Sequence, residues 1–148
     1  AAEPLRGPLV LRLATDECEF LPRGKMRSMK DVMIGVEPSQ VVVAQKRVLG
    51  AQKFQMTLVF GVSPDAESGE LCNYVEYRMQ ERNTERVFRA QVARHLSQVS
   101  EESLAAFHNP KDKGQQKAFA KLMRAALGDY AGKHGLTIMI AKFNRYAK

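Results

Sequence analysis

Between Lys113 and Lys133 apolar side chains recur at three- and four-residue intervals: Phe119, Leu122, Met123, Ala126, Leu127 and Tyr130. That spacing draws one continuous stripe along a helix of about six turns. Gly132 and Gly135 supply the stop, with Lys133 and His134 set against the negative end of the helix dipole. Directly afterwards Leu136, Ile138 and Ile140 alternate with Thr137, Met139 and Ala141, which is the period of a strand. A strand that follows a long helix over so short a link has to return to the sheet the helix has just crossed. Helix and strand are therefore expected to cover one sheet face together.

The first 97 residues read mostly as β. Leu9, Leu11 and Leu13 alternate over Pro8 to Thr15, and Cys18 to Leu21 prolong the pattern. Lys25 to Val36 is ambiguous, because Met26, Met29 and Met33 have helical spacing whereas Val32, Ile34 and Val36 alternate. Gln40 to Val48 holds a valine run, Gly50-Ala51 breaks the chain, and Lys53 to Val62 places Phe54, Met56, Leu58 and Phe60 on one face. After the breaker-rich loop Ser63 to Gly69, Glu70 to Gln80 and Thr84 to Leu96 alternate well enough to read as an antiparallel pair joined near Asn83. Ser100 is a helix N-cap followed by Glu101 and Glu102, so a short helix precedes the long one. The fold class this predicts is α+β: a curved antiparallel sheet of about five to six strands packed against one long C-terminal helix, with a short preceding helix and a final strand. Residues 1–148 are read as a single domain.

Charge divides the chain unevenly. From Lys111 to Lys148 there are nine Lys or Arg against Asp112 and Asp129, which accounts for the entire formal net charge of +7 and leaves the first 110 residues balanced. On the long helix Lys113, Lys117, Lys121 and Arg124 form a row, and Lys142 and Arg145 extend it into the tail. Such a row suits an anionic protein surface or a polyanion, nucleic acid included. Phe143 and Tyr146, lying among these cations, are candidates for stacking on single-stranded bases. A second basic cluster, Arg23 to Lys30, is short and interrupted.

The chemistry that needs a dedicated motif has none here. The sequence contains no GxGxxG or GxxxxGK[ST] phosphate loop, no CxxC, and no histidine pair at zinc-helix spacing among His95, His108 and His134. Met26, Met29 and Met33, with no His or Cys in their segment, read as core filler rather than a thioether metal site. The expectations are accordingly no metal, no cofactor and no catalytic residues. Cys18 and Cys72 are the only cysteines. Bonded to each other, they would stabilise the fold by about 4 kcal/mol in an oxidising compartment; free, they would pack as small apolar groups.

The opening Ala1-Ala2-Glu3-Pro4 resembles a start left by signal-peptide cleavage. No apolar run reaches the length of a membrane-spanning helix. These signs together predict a non-catalytic exported adaptor or binding protein, periplasmic or secreted, that makes protein–protein interactions through a basic patch. The alternative is a cytoplasmic RNA- or single-stranded-DNA-binding module using the same face.

Overall fold

The computed structural model describes residues 9–12, 17–20, 33–36, 39–63, 66–79 and 84–147. Its elements are β1 (Leu9–Arg12), β2 (Glu17–Phe20), β3 (Met33–Val36), β4 (Val41–Leu49), β5 (Gln52–Gly61), α1 (Ser68–Met79), α2 (Thr84–Gln98), α3 (Glu101–Ala105), α4 (Lys113–Gly132) and β6 (Thr137–Ala147). The basic cluster Arg23 to Lys30, the opening Ala1 to Pro4, Met26 and Met29 lie outside the described residues.

The central sheet is antiparallel with order β4-β5-β6, and α2 and α4 pack on it beside β4 and β6 respectively. A separate sheet, β2-β1-β3, lies against α1. The single sheet of five to six strands is thus overturned. The sheet that carries the long helix has three strands, and the segments expected as its hairpin, Glu70 to Gln80 and Thr84 to Leu96, are the helices α1 and α2. The reason lies in which apolar residues are buried. Leu71, Tyr74 and Val75 in α1, and Phe88, Val92 and Leu96 in α2, are three or four residues apart, and all are buried. The intervening Glu, Arg, Gln and Ala are good helix formers, so spacing and propensity agree on helix over the weaker alternation.

β5 supplies the floor of the core. Phe54, Met56, Leu58 and Phe60 all point to the helix side and are fully buried. Phe54 stacks on Phe143 of β6 at 5.5 Å, and Phe119 of α4 meets both rings edge-on. Phe107 closes the group against Phe119 at 5.4 Å. Aromatic contacts of this geometry contribute about 0.5–1.5 kcal/mol each beyond the area they bury.

β6 departs from strict alternation. A register shift opposite Val59 and Phe60 inserts Met139, so Ile138 is buried but Met139 and Ile140 both face outward, and Ala141 and Phe143 return to the core. Ile140, expected to share a face with Ile138, therefore lies on the open side of the sheet. An extra residue in one strand has this effect because side-chain direction has a period of two.

The long helix begins and ends where its sequence signals place it. Asp112 caps α4 by accepting from the Gly114 N–H at 2.8 Å, and Ser100 caps α3 through the Ser103 N–H at 3.2 Å. At the far end Leu136 N donates to Ala131 O and Gly135 N to Gly132 O, the paired bonds of a Schellman stop. Gly135 has φ +68°, and a Cβ there would lie 2.3 Å from Glu70 O and 2.5 Å from Tyr74 N. Only glycine lets α1 approach the α4–β6 turn this closely.

Candidate functional site

The row of cations on α4 occupies a flank about 100° round the helix axis from the buried stripe of Phe119, Met123, Leu127 and Ala131. Lys113, Lys117, Lys121 and Arg124 are all exposed. Asp129, the one acid within the helix, lies on a different flank. Arg124 Nη2 reaches Ile138 O at 3.4 Å, so the flank runs beside the outer edge of β6. Among the described residues none of the three lysines forms an ion pair; Arg89–Glu85 at 2.9 Å shows the kind of pairing they lack.

What holds the helix at this edge is Gln116, a residue with no signal in the sequence. Its Oε1 accepts from the Phe143 N–H at 3.1 Å, while its Nε2 donates to Phe143 O at 2.9 Å and to Pro110 O at 2.8 Å. A side-chain amide here takes the place of a neighbouring strand. The other edge is covered in the same manner, with Arg89 donating to the carbonyl of Val42 in β4.

The six cations expected to act as one surface divide into three groups. Lys113, Lys117 and Lys121 project freely. Arg124 and Arg145 have structural partners: Arg145 is half-buried, donates to Phe107 O at 3.2 Å and also reaches Gln52 Oε1. Lys142 stands on the opposite, open face of β6. Phe143, expected as a stacking residue, is 3% exposed and belongs to the core.

The open face of the sheet has a composition of its own. Its cross-strand rows are Val42, Val59, Ile140; Ala44, Thr57, Lys142; Lys46, Gln55, Asn144; and Val48, Lys53, Tyr146. These twelve positions hold three lysines and no carboxylate. Val42 and Ile140, exposed to 45 and 43%, share the first row and Val48, exposed to 52%, stands in the last, so apolar residues flank the lysines on this face.

On the helix side, His134 packs within 5.3 to 5.7 Å of Tyr77, Tyr130 and Phe88. Burial, and then the neighbouring Lys133, hold its imidazole below the usual histidine range. Tyr77 has a buried hydroxyl without a hydrogen-bond partner among the described residues, and burial, followed by the Glu85 carboxylate, pushes it up to about 12. No group of His, Cys, Asp or Glu among the described residues is arranged to hold a metal ion. β2, which carries Cys18, packs on α1, which carries Cys72. No helix among the described residues is long and apolar enough to cross a membrane.

Comparison with protein-family models, curated proteins and solved structures finds no match to this chain. The functional reading therefore rests on the chemistry of the surface.

The buried cluster predicts how stability responds to pH. Unfolded tyrosine ionises near pH 10, and the folded Tyr77 value is raised to about 12. The folded state thus keeps a proton that the unfolded chain loses, and stability is complete below pH 10 and falls as pH rises from about 10 to 12. The lowered His134 value acts in the other direction: its contribution is present above about pH 6.5 and is lost as pH falls. Tyrosinate absorbance should show Tyr77 ionising well above pH 10, with burial delaying Tyr130 in the same direction; ionisation of all four tyrosines together near pH 10 would contradict the burial of Tyr77.

Proposed function

We propose that this chain is a non-catalytic docking module that binds an acidic protein surface through the lysine flank of α4 and the adjoining open face of the sheet. The observation that carries this reading is the set Lys113, Lys117, Lys121 and Lys142, arrayed around β6 with no ion-pair partner among the described residues. Cations left unpaired at a fixed spacing give an orienting field and a fast, salt-sensitive encounter with an anionic partner. The aliphatic residues Val42, Val48 and Ile140 supply apolar contact beside that charge, which suits a protein partner with carboxylates around an aliphatic patch. Nucleic acid is less well served. Phe143 is unavailable for stacking and Tyr146 is the one aromatic on the open face.

The site of action belongs to the same proposal. β2 against α1 brings the strand of Cys18 to the helix of Cys72, and a Cys18–Cys72 bridge would suit a periplasmic or secreted protein rather than a cytoplasmic one. A thiol assay on protein purified from its native compartment and denatured without reductant should find no free thiol. Two free thiols would remove the support for an oxidising compartment.

Binding is tested by retention on immobilised polyglutamate and on immobilised single-stranded DNA across a salt gradient. Two double variants have equal net charge: Lys117→Glu with Lys121→Glu on the flank, and Arg86→Glu with Lys133→Glu elsewhere. The flank variant should elute from polyglutamate at clearly lower salt than the control variant, reflecting about 1 kcal/mol for each lysine desolvated against a carboxylate. Identical elution of the two would show that only net charge matters, and stronger retention on DNA than on polyglutamate at equal salt would favour the nucleic-acid alternative.

A further inference from the structure

The flank of α4 that faces away from the lysines borders a second feature, a groove of about 310 Å³ between α2 and α4. On α2 its wall is made by Gln91, Arg94, His95 and Gln98, which are spaced i, i+3, i+4, i+7. That spacing places all four on one face of the helix, beside the buried stripe of Phe88, Val92 and Leu96. The face is polar, so the two helices do not close on each other along this line. On α4 the wall is apolar: Leu127, which is buried, and the ring of Tyr130, which is held parallel to Phe88 at 5.5 Å.

The polar wall has two properties that select a ligand. It contains no carboxylate, and its side chains offer a guanidinium, an imidazole and two amides, all capable of donating hydrogen bonds. None of the four side chains has a hydrogen-bond or ion-pair partner among the described residues. Arg47, Arg78, Arg89, Arg124 and Arg145 each donate to an acceptor elsewhere in the protein, while Arg86, away from the groove on α2, is like Arg94 without a partner among the described residues. Arg94 is thus an unengaged fork at the mouth of a half-apolar groove, and a planar carboxylate or a phosphate accepts from such a fork through two oxygens.

We propose that the α2–α4 groove binds a small organic anion, with its carboxylate or phosphate on Arg94 and its short apolar body against Leu127 and Tyr130. The volume lies at the lower end of the range for ligand sites, which limits the body to about one ring or a short chain. This site is independent of the docking surface, because the lysines project from the other side of the helix.

The test is a titration of the isotope-labelled full chain at fixed ionic strength, followed by backbone amide shifts. The probes are benzoate, phenyl phosphate, inorganic phosphate and benzyl alcohol. Benzoate or phenyl phosphate should give saturable shifts at Gln91, Arg94, Ala126 and Tyr130, with inorganic phosphate and benzyl alcohol each about tenfold weaker. Whichever aryl anion binds more tightly identifies the head group. Arg94→Gln, a change at an exposed position, should weaken that anion about tenfold, whereas Lys121→Gln should leave it unchanged. The proposal is overturned by the absence of saturable shifts with both aryl anions, by equal binding of benzyl alcohol, by undiminished binding to Arg94→Gln, or by shifts confined to Lys117 and Lys121.

Discussion

A ring of two hydrogen bonds between the Gln116 amide and the backbone of Phe143 sets where the long helix sits. Because Gln116 adjoins the cation row, this ring also determines where Lys113, Lys117 and Lys121 project. It brings Phe119 onto the rings of Phe54, Phe107 and Phe143, so aromatic packing and the polar clamp reinforce one placement. The third bond of Gln116, to Pro110 O, ties the entry loop of the helix to the same point. A three-stranded sheet has two edges to protect, and here side chains protect both: Gln116 and Arg124 at β6, Arg89 at β4. A partner that binds by adding a strand would have to displace these bonds.

The core contributes no charge to this arrangement. Among the described residues no polar or charged residue is fully buried apart from the tyrosines, and the interior is aliphatic and aromatic throughout. Stability thus comes from apolar burial and backbone pairing, and the lysines are not required to hold the fold together. Their mutual repulsion is a modest cost at the surface and is screened over about 8–10 Å at physiological salt. A surface that can lose its charges without unfolding is the condition under which charge reversal reports on binding alone.

The parts legible in the sequence are those in which one strong period coincides with unambiguous ends. α4 combined a long apolar stripe with a glycine stop at Gly132 and Gly135, and β5 alternated over four large residues. The sequences of α1 and α2 also read as strand because short apolar alternations, Val75, Tyr77 and Met79 in one and Phe88, Ala90 and Val92 in the other, overlap the helical spacing of Leu71, Tyr74, Val75 and Phe88, Val92, Leu96, whose burial is settled only by tertiary contacts. The cation row was visible as a spacing. That Arg124 and Arg145 have carbonyl partners, and that Lys142 faces the other way, follows from β6 register and is beyond any one-dimensional pattern. Gln116 could not be singled out, since a glutamine between Gln115 and Lys117 looks like an ordinary solvated residue. The polar face at Gln91, Arg94, His95 and Gln98 looks in the sequence like any solvated helix flank, and its place beside α4 follows from the tertiary structure alone.

Gln116 substitutes for a missing strand at β6, and the placement of α4 depends on it. Amide hydrogen exchange measures this directly. Strand alternation turns the amides of Lys142 and Asn144 toward β5 and that of Phe143 outward. Phe143 should exchange as slowly as those two neighbours in the native protein, and in Gln116→Ala it alone should accelerate, by about tenfold or more for a bond worth roughly 1.4 kcal/mol. Rapid exchange at Phe143 in the unsubstituted protein, or protection that survives the loss of the amide, would contradict that role for Gln116.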